Sequence, residues 1–270
     1  MLLDAALRVH RCYDVRMGTA LVTGLNGTVA PVLRAALEAR GRACAGWDRR
    51  ASSPDDPGAV RAHLDALDPA VVCHLALGAE AWAAELAAWC ARRGRPFLFT
   101  STAMVFHRDP DGPHRPGDER TARDEYGRYK IRCEDLVRAA NPAAIVARIG
   151  WQIGETRGGN QMLENLAGRV ARGEPIRAST KWIPATSFLV DTAETLRTLL
   201  EAGEGGTFHV DGNAETRWSF FEIVEGLRKR FGDSSWRVEA CEDYVHDQRL
   251  VDERVKVRAI SRRLEPARAN

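Results

Sequence analysis

The chain has 270 residues, 44% of them hydrophobic and 28% charged, with a formal net charge of +2. That is enough chain for one large α/β domain, or for a nucleotide domain with a smaller lobe. Arginines dispersed over helix faces leave no basic footprint for nucleic acid. No apolar run reaches the roughly 18–20 residues that span a bilayer, so neither nucleic acid nor membrane is an expected partner.

Residues 1–16, MLLDAALRVHRCYDVR, are too charged and interrupted for a secretory signal and are expected to form an N-terminal extension. Thr19 to Thr23 then reads as a short strand, followed by glycines and a helical pattern through Arg40, closed by Gly41. Ala43–Trp47 is a second strand, Pro57–Leu67 a helix, and Ala70–Leu75 a third strand apolar enough to be buried on both faces. Glu80–Arg93, stopped by Gly94, is helical, and Pro96–Thr100 is a fourth strand. A proline- and glycine-rich loop at Arg108–Gly117 precedes a helix at Asp124–Ala140 and a strand at Ala144–Ile149.

This alternation predicts an α/β protein with a doubly wound parallel sheet, its dinucleotide domain at residues 17–150. Beyond Gly150 the rhythm changes, with helices near Asn160–Arg172, Ser187–Ala202 and Ser219–Phe231 and strands at Thr207–Val210 and Trp236–Ala240. Residues 151–270 are expected to form a smaller α/β substrate lobe, interleaved with the first domain and seated over the carboxyl edge of the sheet.

Gly24, Gly27 and Ala30 make a GxxGxxA pattern between strand and helix. Glycine there permits a tight turn and close approach of backbone to a pyrophosphate at a helix N-terminus. An ordinary strand-to-helix turn has the same glycines. Asp48 closes the second strand, where a carboxylate can hold ribose hydroxyls, yet Arg49 and Arg50 follow and suit a 2′-phosphate. Exposed charge at a strand end is the plainer alternative.

Tyr126 and Lys130 stand four apart near the start of a helix and project from one face. A nearby ammonium and a positive nicotinamide ring together favour the phenolate, which predicts a lowered pKa for Tyr126. Thr102, at the end of the fourth strand, is placed to orient a carbonyl. A salt-bridging lysine beside an exposed aromatic is the alternative, and Tyr129 has the wrong offset from Lys130 for the role.

Cys12, Cys44, Cys73, Cys90, Cys133 and Cys241 show no CxxC, so reduced thiols in a cytoplasm are expected. His63, His74, His107, His114, His209 and His246 have no paired ligand spacing, so no metal is implied.

With TGLNGTVA, FTSTAMVF, EYGRYK, ARIGWQIG and GTFHVDG in this order, the chain resembles the extended short-chain dehydrogenase/reductases, in the dTDP-4-dehydrorhamnose reductase-like branch. The resemblance implies NADPH or NADH as cofactor, a nucleotide-sugar substrate, and room for a homodimer. Gly27, Thr28 and Val29 match the family's phosphate turn, and Gly24 and Asn26 are expected to bind the cofactor beside them. Asp48 and Arg49 go to the adenosine end, Ala76 and Leu77 to the loop lining the cofactor. Thr102, Tyr126 and Lys130 match the catalytic triad. Trp151 matches a tryptophan that packs against the substrate's sugar, and Thr102, Ala103, Gln161 and Thr186 are expected on the substrate side with it.

The implied activity is reduction of a nucleotide-linked 4-keto sugar. A nucleotide-sugar 4-epimerase and a non-catalytic cofactor-binding subunit, like the methionine adenosyltransferase β subunit, stay open. Ala103-Met104 replaces the family's acidic and aromatic residues, and the Asp-Glu pair of the 4,6-dehydratases is absent.

Overall fold

A computed structural model describes residues 18–156, 158–232 and 234–264. The expected extension at residues 1–16 lies outside the described residues.

In chain order the elements are β1 (Ala20–Thr23), α1 (Ala30–Glu38), β2 (Cys44–Gly46), α2 (Pro57–Leu67), β3 (Val71–His74), α3 (Glu80–Arg93) and β4 (Phe97–Thr102). A single 3₁₀ turn at Ala103–Val105 leads to α4 (Glu125–Ala140) and β5 (Ile145–Ile149). Then come β6 (Trp151–Ile153), α5 (Met162–Ala171), β7 (Ile176–Ser179), β8 (Trp182–Ile183), β9 (Thr186–Phe188), α6 (Leu189–Ala202) and β10 (Gly206–Val210). The last elements of the described residues are α7 (Phe220–Phe231), β11 (Val238–Cys241), β12 (His246–Asp247) and α8 (Ser261–Leu264).

Six parallel strands form the main sheet in the order β10-β5-β4-β3-β1-β2. Alternation along each strand feeds two cores. Leu21 of β1 packs with Trp82, Leu86 and Val137 beneath α2, α3 and α4. Its neighbours Ala20 and Val22 pack with Leu33 and Leu196 beneath α1 and α6. The order reverses direction at β1, so a crevice opens where β1 and β3 end, the place where open α/β sheets bind ligands.

Residue 150 is no clean boundary. β10 pairs with β5 from Gly206↔Ile145 to Val210↔Ile149, and α6 covers the same face as α1. What remains builds a lobe on short parallel pairs, β6 with β9, β7 with β11 and β8 with β12, around Ile153, Phe188, Ile223 and Leu227. Buried Asp211 ties lobe to sheet: its carboxylate accepts from Thr186 N, Asn213 N and Leu250 N, at 2.8–3.0 Å.

Two differences from the expected elements bear on the site. β4 continues through Ser101 and Thr102 because its ladder with β5 runs to Thr102↔Ile149. α1 stops at Glu38, short of Arg40.

Candidate active site

A cleft of about 1650 Å³ runs along the carboxyl edge of the sheet and under the second lobe. An ordinary small-molecule pocket is roughly 300–1,000 Å³, so two ligands can lie end to end here.

Its floor begins at the turn between β1 and α1. Thr23 Oγ1 accepts from Leu75 N at 3.1 Å and Ala76 N at 3.2 Å and contacts His74 Nδ1 at 2.9 Å, latching the ends of β1 and β3 together. Burial pushes the His74 pKa down to about 3, so this imidazole is a neutral structural partner. Gly24 has φ +81°, and a Cβ there would meet Ala76 N at 2.9 Å. Gly27 N closes the turn on Gly24 O at 2.7 Å. The remaining turn residues, Asn26, Thr28 and Val29, face the cleft with Ala76 and Leu77 opposite. Thr28 Oγ1 accepts from Asn160 N at 3.1 Å, so the second lobe touches the turn between β1 and α1 directly. Gly24→Ala should lower stability by roughly 1–3 kcal/mol, the usual penalty of a non-glycine residue at such a φ. Urea denaturation measures it; an unchanged midpoint would mean the turn has another conformation.

At the end of β2, Asp48, Arg49 and Arg50 all border the cleft. Asp48 Oδ1 accepts from Arg50 N at 2.8 Å. Arg49 donates to Leu77 O, and its guanidinium lies over the Trp82 ring, 5.2 Å from the centroid.

The opposite wall carries Thr102, Tyr126 and Lys130. Asp124 caps α4, accepting from Gly127 N at 2.8 Å. A side chain at position 127 would collide with Met104 O and Ala122, so glycine there lets the start of α4 close on the 3₁₀ turn. That approach brings Tyr126 to Thr102, which sits at the tip of β4. Lys130 is only 3% exposed; Nζ donates to Thr100 O at 2.9 Å and lies 4.7 Å from the Phe99 ring centroid. Tyr129 instead bonds Gly78, donating to its carbonyl at 2.9 Å and accepting from its N–H at 3.2 Å.

The expected lowering of the Tyr126 pKa is not present. Partial burial raises it above the ordinary phenol value, the Thr102 side chain pulls it down, and Asp124 raises it. Lys130 makes no contribution among these causes, since its ammonium is directed at Thr100 O. Tyr126 is therefore a protonated phenol at neutral pH. Burial lowers the Lys130 pKa to about 8, against nearby Cys133 and Glu134, which raise it.

This sets an expected pH profile for any reaction that uses both groups. The Lys130 ammonium is present below about 8 and lost as pH rises through that value, while Tyr126 keeps its proton. kcat/KM should be level at lower pH and fall above about 8. Lys130→Arg should move that limb to higher pH. A limb at the same pH in the arginine variant would assign it to another group.

At the far end stand Trp151, Gln152, Trp182, Tyr244 and Gln248. Trp151 both borders the cleft and packs in the second lobe's core, stacked on Trp182 at 6.4 Å and on Phe220 at 6.0 Å. Ala103 and Met104 complete the wall beside Thr102.

Gln161 and Thr186, expected at the substrate, are not among the cleft's walls. Gln161 is 1% exposed and caps α5: Oε1 accepts from Gly154 N and Leu163 N, and Nε2 donates to Thr156 O. Thr186 is fully buried, donating from its hydroxyl to Trp151 O at 2.6 Å, so it supports Trp151 from behind.

Trp182, Tyr244 and Gln248 were missed by the sequence reading. They lie on β8 and next to or just beyond β12, a pairing between segments over sixty residues apart that no local pattern announces. Trp47 was likewise missed, although adjacency to Asp48 was a usable signal, whereas Arg50 stands at the cleft as expected. No group of three or more metal-ligating side chains occurs among the described residues.

The sheet order, the glycine turn at its switch point, and a threonine, tyrosine and lysine converging on one wall define an extended short-chain dehydrogenase/reductase. The chain belongs to the RmlD substrate binding domain family, which matches residues 78–249. It is 34% identical over 151 residues to the "Probable low-salt glycan biosynthesis reductase Agl14" of Haloferax volcanii, covering 53% of this chain and 50% of that protein. It is 30% identical over 162 residues to the dTDP-4-dehydrorhamnose reductase of Mycobacterium tuberculosis, covering 58% of this chain and 49% of that one. The chain thus spans about half the length of these curated relatives. In fold it is similar to the dTDP-4-dehydrorhamnose reductase of Bacillus anthracis solved with NADP, with a TM-score of 0.80 at 17% identity, over 92% of this chain and 98% of that one.

Proposed function

We propose that this protein is an NAD(P)H-dependent reductase of a nucleotide-linked 4-keto sugar, working in a cytoplasm. One observation supports this above the others. Tyr126 beside Thr102, and a buried Lys130 one helical turn on, share a cleft with the Gly24–Val29 turn. The residues present fit a dinucleotide: glycine at 24, where a Cβ would strike the Ala76 backbone, lets the turn pack closely on the loop after β3, and the Thr23 latch keeps Ala76 and Leu77 opposite.

When bound, the nicotinamide supplies a hydride. The protein's share is to place the carbonyl and deliver a proton. The Thr102 hydroxyl orients the carbonyl oxygen, and Tyr126 O–H donates its proton there as negative charge develops. Lys130 Nζ, with one donor on Thr100 O, has donors left for a ribose hydroxyl. Trp151 offers an indole face to the sugar ring. Cys73, Cys90 and Cys133, buried and unbridged, suit a reducing compartment.

The test is NADPH oxidation followed by absorbance with dTDP-4-dehydrorhamnose as substrate. Turnover supports the reading. Tight NADPH binding without turnover across a panel of nucleotide-linked 4-keto sugars overturns it and favours a non-catalytic subunit.

A further inference from the structure

We infer that Asp211 is a positioning residue for the substrate: its buried carboxylate sets the cleft wall that carries Trp151 and Gln248, and leaves the cofactor end alone. The inference rests on the reductase reading above and deepens it. Asp211 directly follows β10 and is 5% exposed. Its Oδ1 accepts from Thr186 N at 3.0 Å and Asn213 N at 2.8 Å, and its Oδ2 from Leu250 N at 3.0 Å. Among the described residues it forms no ion pair, because the neighbouring Arg249 guanidinium is committed to Asp247 and to Ala214 O. A buried carboxylate is costly even when hydrogen-bonded, so stability alone is a poor reason for one here. What its three bonds accomplish is placement.

Each donor leads to the substrate end. Thr186 pairs with Trp151 between β6 and β9 and donates its hydroxyl to Trp151 O at 2.6 Å, while Trp151 N donates to Ala185 O at 2.9 Å. Leu250 lies two residues beyond Gln248, whose N–H donates to Ile183 O at 2.9 Å, next to Trp182. The turn after β10 grips the same stretch twice more: Gly212 N donates to Ser187 Oγ at 2.7 Å, and Asn213 Nδ2 to Pro184 O at 2.9 Å. One carboxylate thus registers two segments more than sixty residues apart against each other, and both border the cleft. Asp211 does not border it and acts through them. The cofactor end has its own fastening, the Thr23 latch between β1 and β3, and none of the three Asp211 bonds reaches it.

The experiment compares the full chain with Asp211→Asn, Thr186→Val and Ile223→Val, by steady-state kinetics, NADPH titration and hydrogen exchange. The substrate is dTDP-4-dehydrorhamnose, or whichever sugar of the keto-sugar panel turns over. Asparagine has the shape of aspartate but puts an N–H₂ where one accepting oxygen stood, so a buried backbone N–H loses its acceptor. Asp211→Asn should raise the substrate KM by about tenfold, the usual effect of one such loss. Its kcat should change little, because the far wall binds ground and transition states alike. NADPH affinity should hold, and exchange should quicken in β6 and in residues 246–250 but not in β1 or α4. Thr186→Val, which cuts the link to Trp151, should raise KM in the same way. Ile223→Val loosens the core of the same lobe away from these bonds and should leave KM as it is. An unchanged KM in folded Asp211→Asn overturns the inference, as does a KM that rises together with the NADPH Kd or rises equally in Ile223→Val. If Asp211→Asn does not fold, Thr186→Val decides, and an unchanged KM there overturns the inference. All these failures leave the reductase reading standing. Folded wild type that binds NADPH and reduces no sugar overturns that reading, and the inference with it.

Discussion

Tyr126→Phe should cut turnover by roughly 10²–10⁴-fold, the range lost when a positioned acid-base group is removed. The phenol is the proton source in the proposed reduction, and partial burial keeps it protonated. Affinity for NADPH should change little, because the ring still occupies its place against Thr102, and 40% of the residue is already exposed. The split between an intact Kd and a collapsed kcat is the diagnostic. It is read by fluorescence titration beside steady-state kinetics. Should the variant keep its turnover, the proton comes from elsewhere, and Thr102 or solvent becomes the candidate donor.

Glu134→Ala should be among the most destabilising substitutions in the chain, by about 3–5 kcal/mol, the usual result of removing one partner from a buried ion pair. Glu134 lies one turn beyond Lys130 on α4 and is 3% exposed. Its carboxylate accepts from Arg148 Nε at 2.9 Å and Arg148 NH2 at 2.8 Å, and from Arg120 NH1 at 3.2 Å. Arg148, on β5, also donates to Pro116 O, so the cluster pins α4 to the sheet. Without Glu134 the Arg148 guanidinium stays buried and unpaired.

The pH dependence has a definite sign. Burial raises the Glu134 pKa, but the bonds and charge of Arg148 outweigh it, and the net value lies below the ordinary 4.5. The stabilisation is therefore complete above that ordinary value and lost as pH falls through the lower folded one. The gap between wild type and Glu134→Ala, measured by urea denaturation, should be widest at neutral pH and narrow in acid. A gap below about 1 kcal/mol at neutral pH, typical of surface pairs, would show the cluster to be solvated.

Much of this was legible without coordinates. The glycine turn, five of the six strands of the main sheet and the helix that carries Tyr126 rest on local rules, periodicity and glycine at turns, whereas Thr207–Val210 was read as a strand of the smaller lobe and joins the main sheet beside β5. The spans Pro57–Leu67 and Glu80–Arg93 agree residue for residue with α2 and α3, because Pro57 opens one and Gly94 stops the other. The weakest stretch followed residue 150. β6, β8 and β12 have two or three residues each, too few for a period to show, and they exist because partners distant in sequence meet them.

The chain by itself determined which groups are available: a glycine turn between strand and helix, a threonine at a strand tip, and a tyrosine and lysine on one helical face. Those follow from spacing along one element, where geometry is fixed by the backbone repeat. Only the tertiary structure decided how each group is used. Gln161 and Thr186 became internal braces because burial requires each polar atom to find a partner, and theirs were nearby backbone groups. Trp182 and Tyr244 reached the cleft because β8 pairs with β12. Tyr126 holds its proton more tightly than its neighbour Lys130 would suggest, because desolvation and the direction of the ammonium toward Thr100 O are three-dimensional facts. Burial and pairing depend on the whole fold, and no window of sequence contains them.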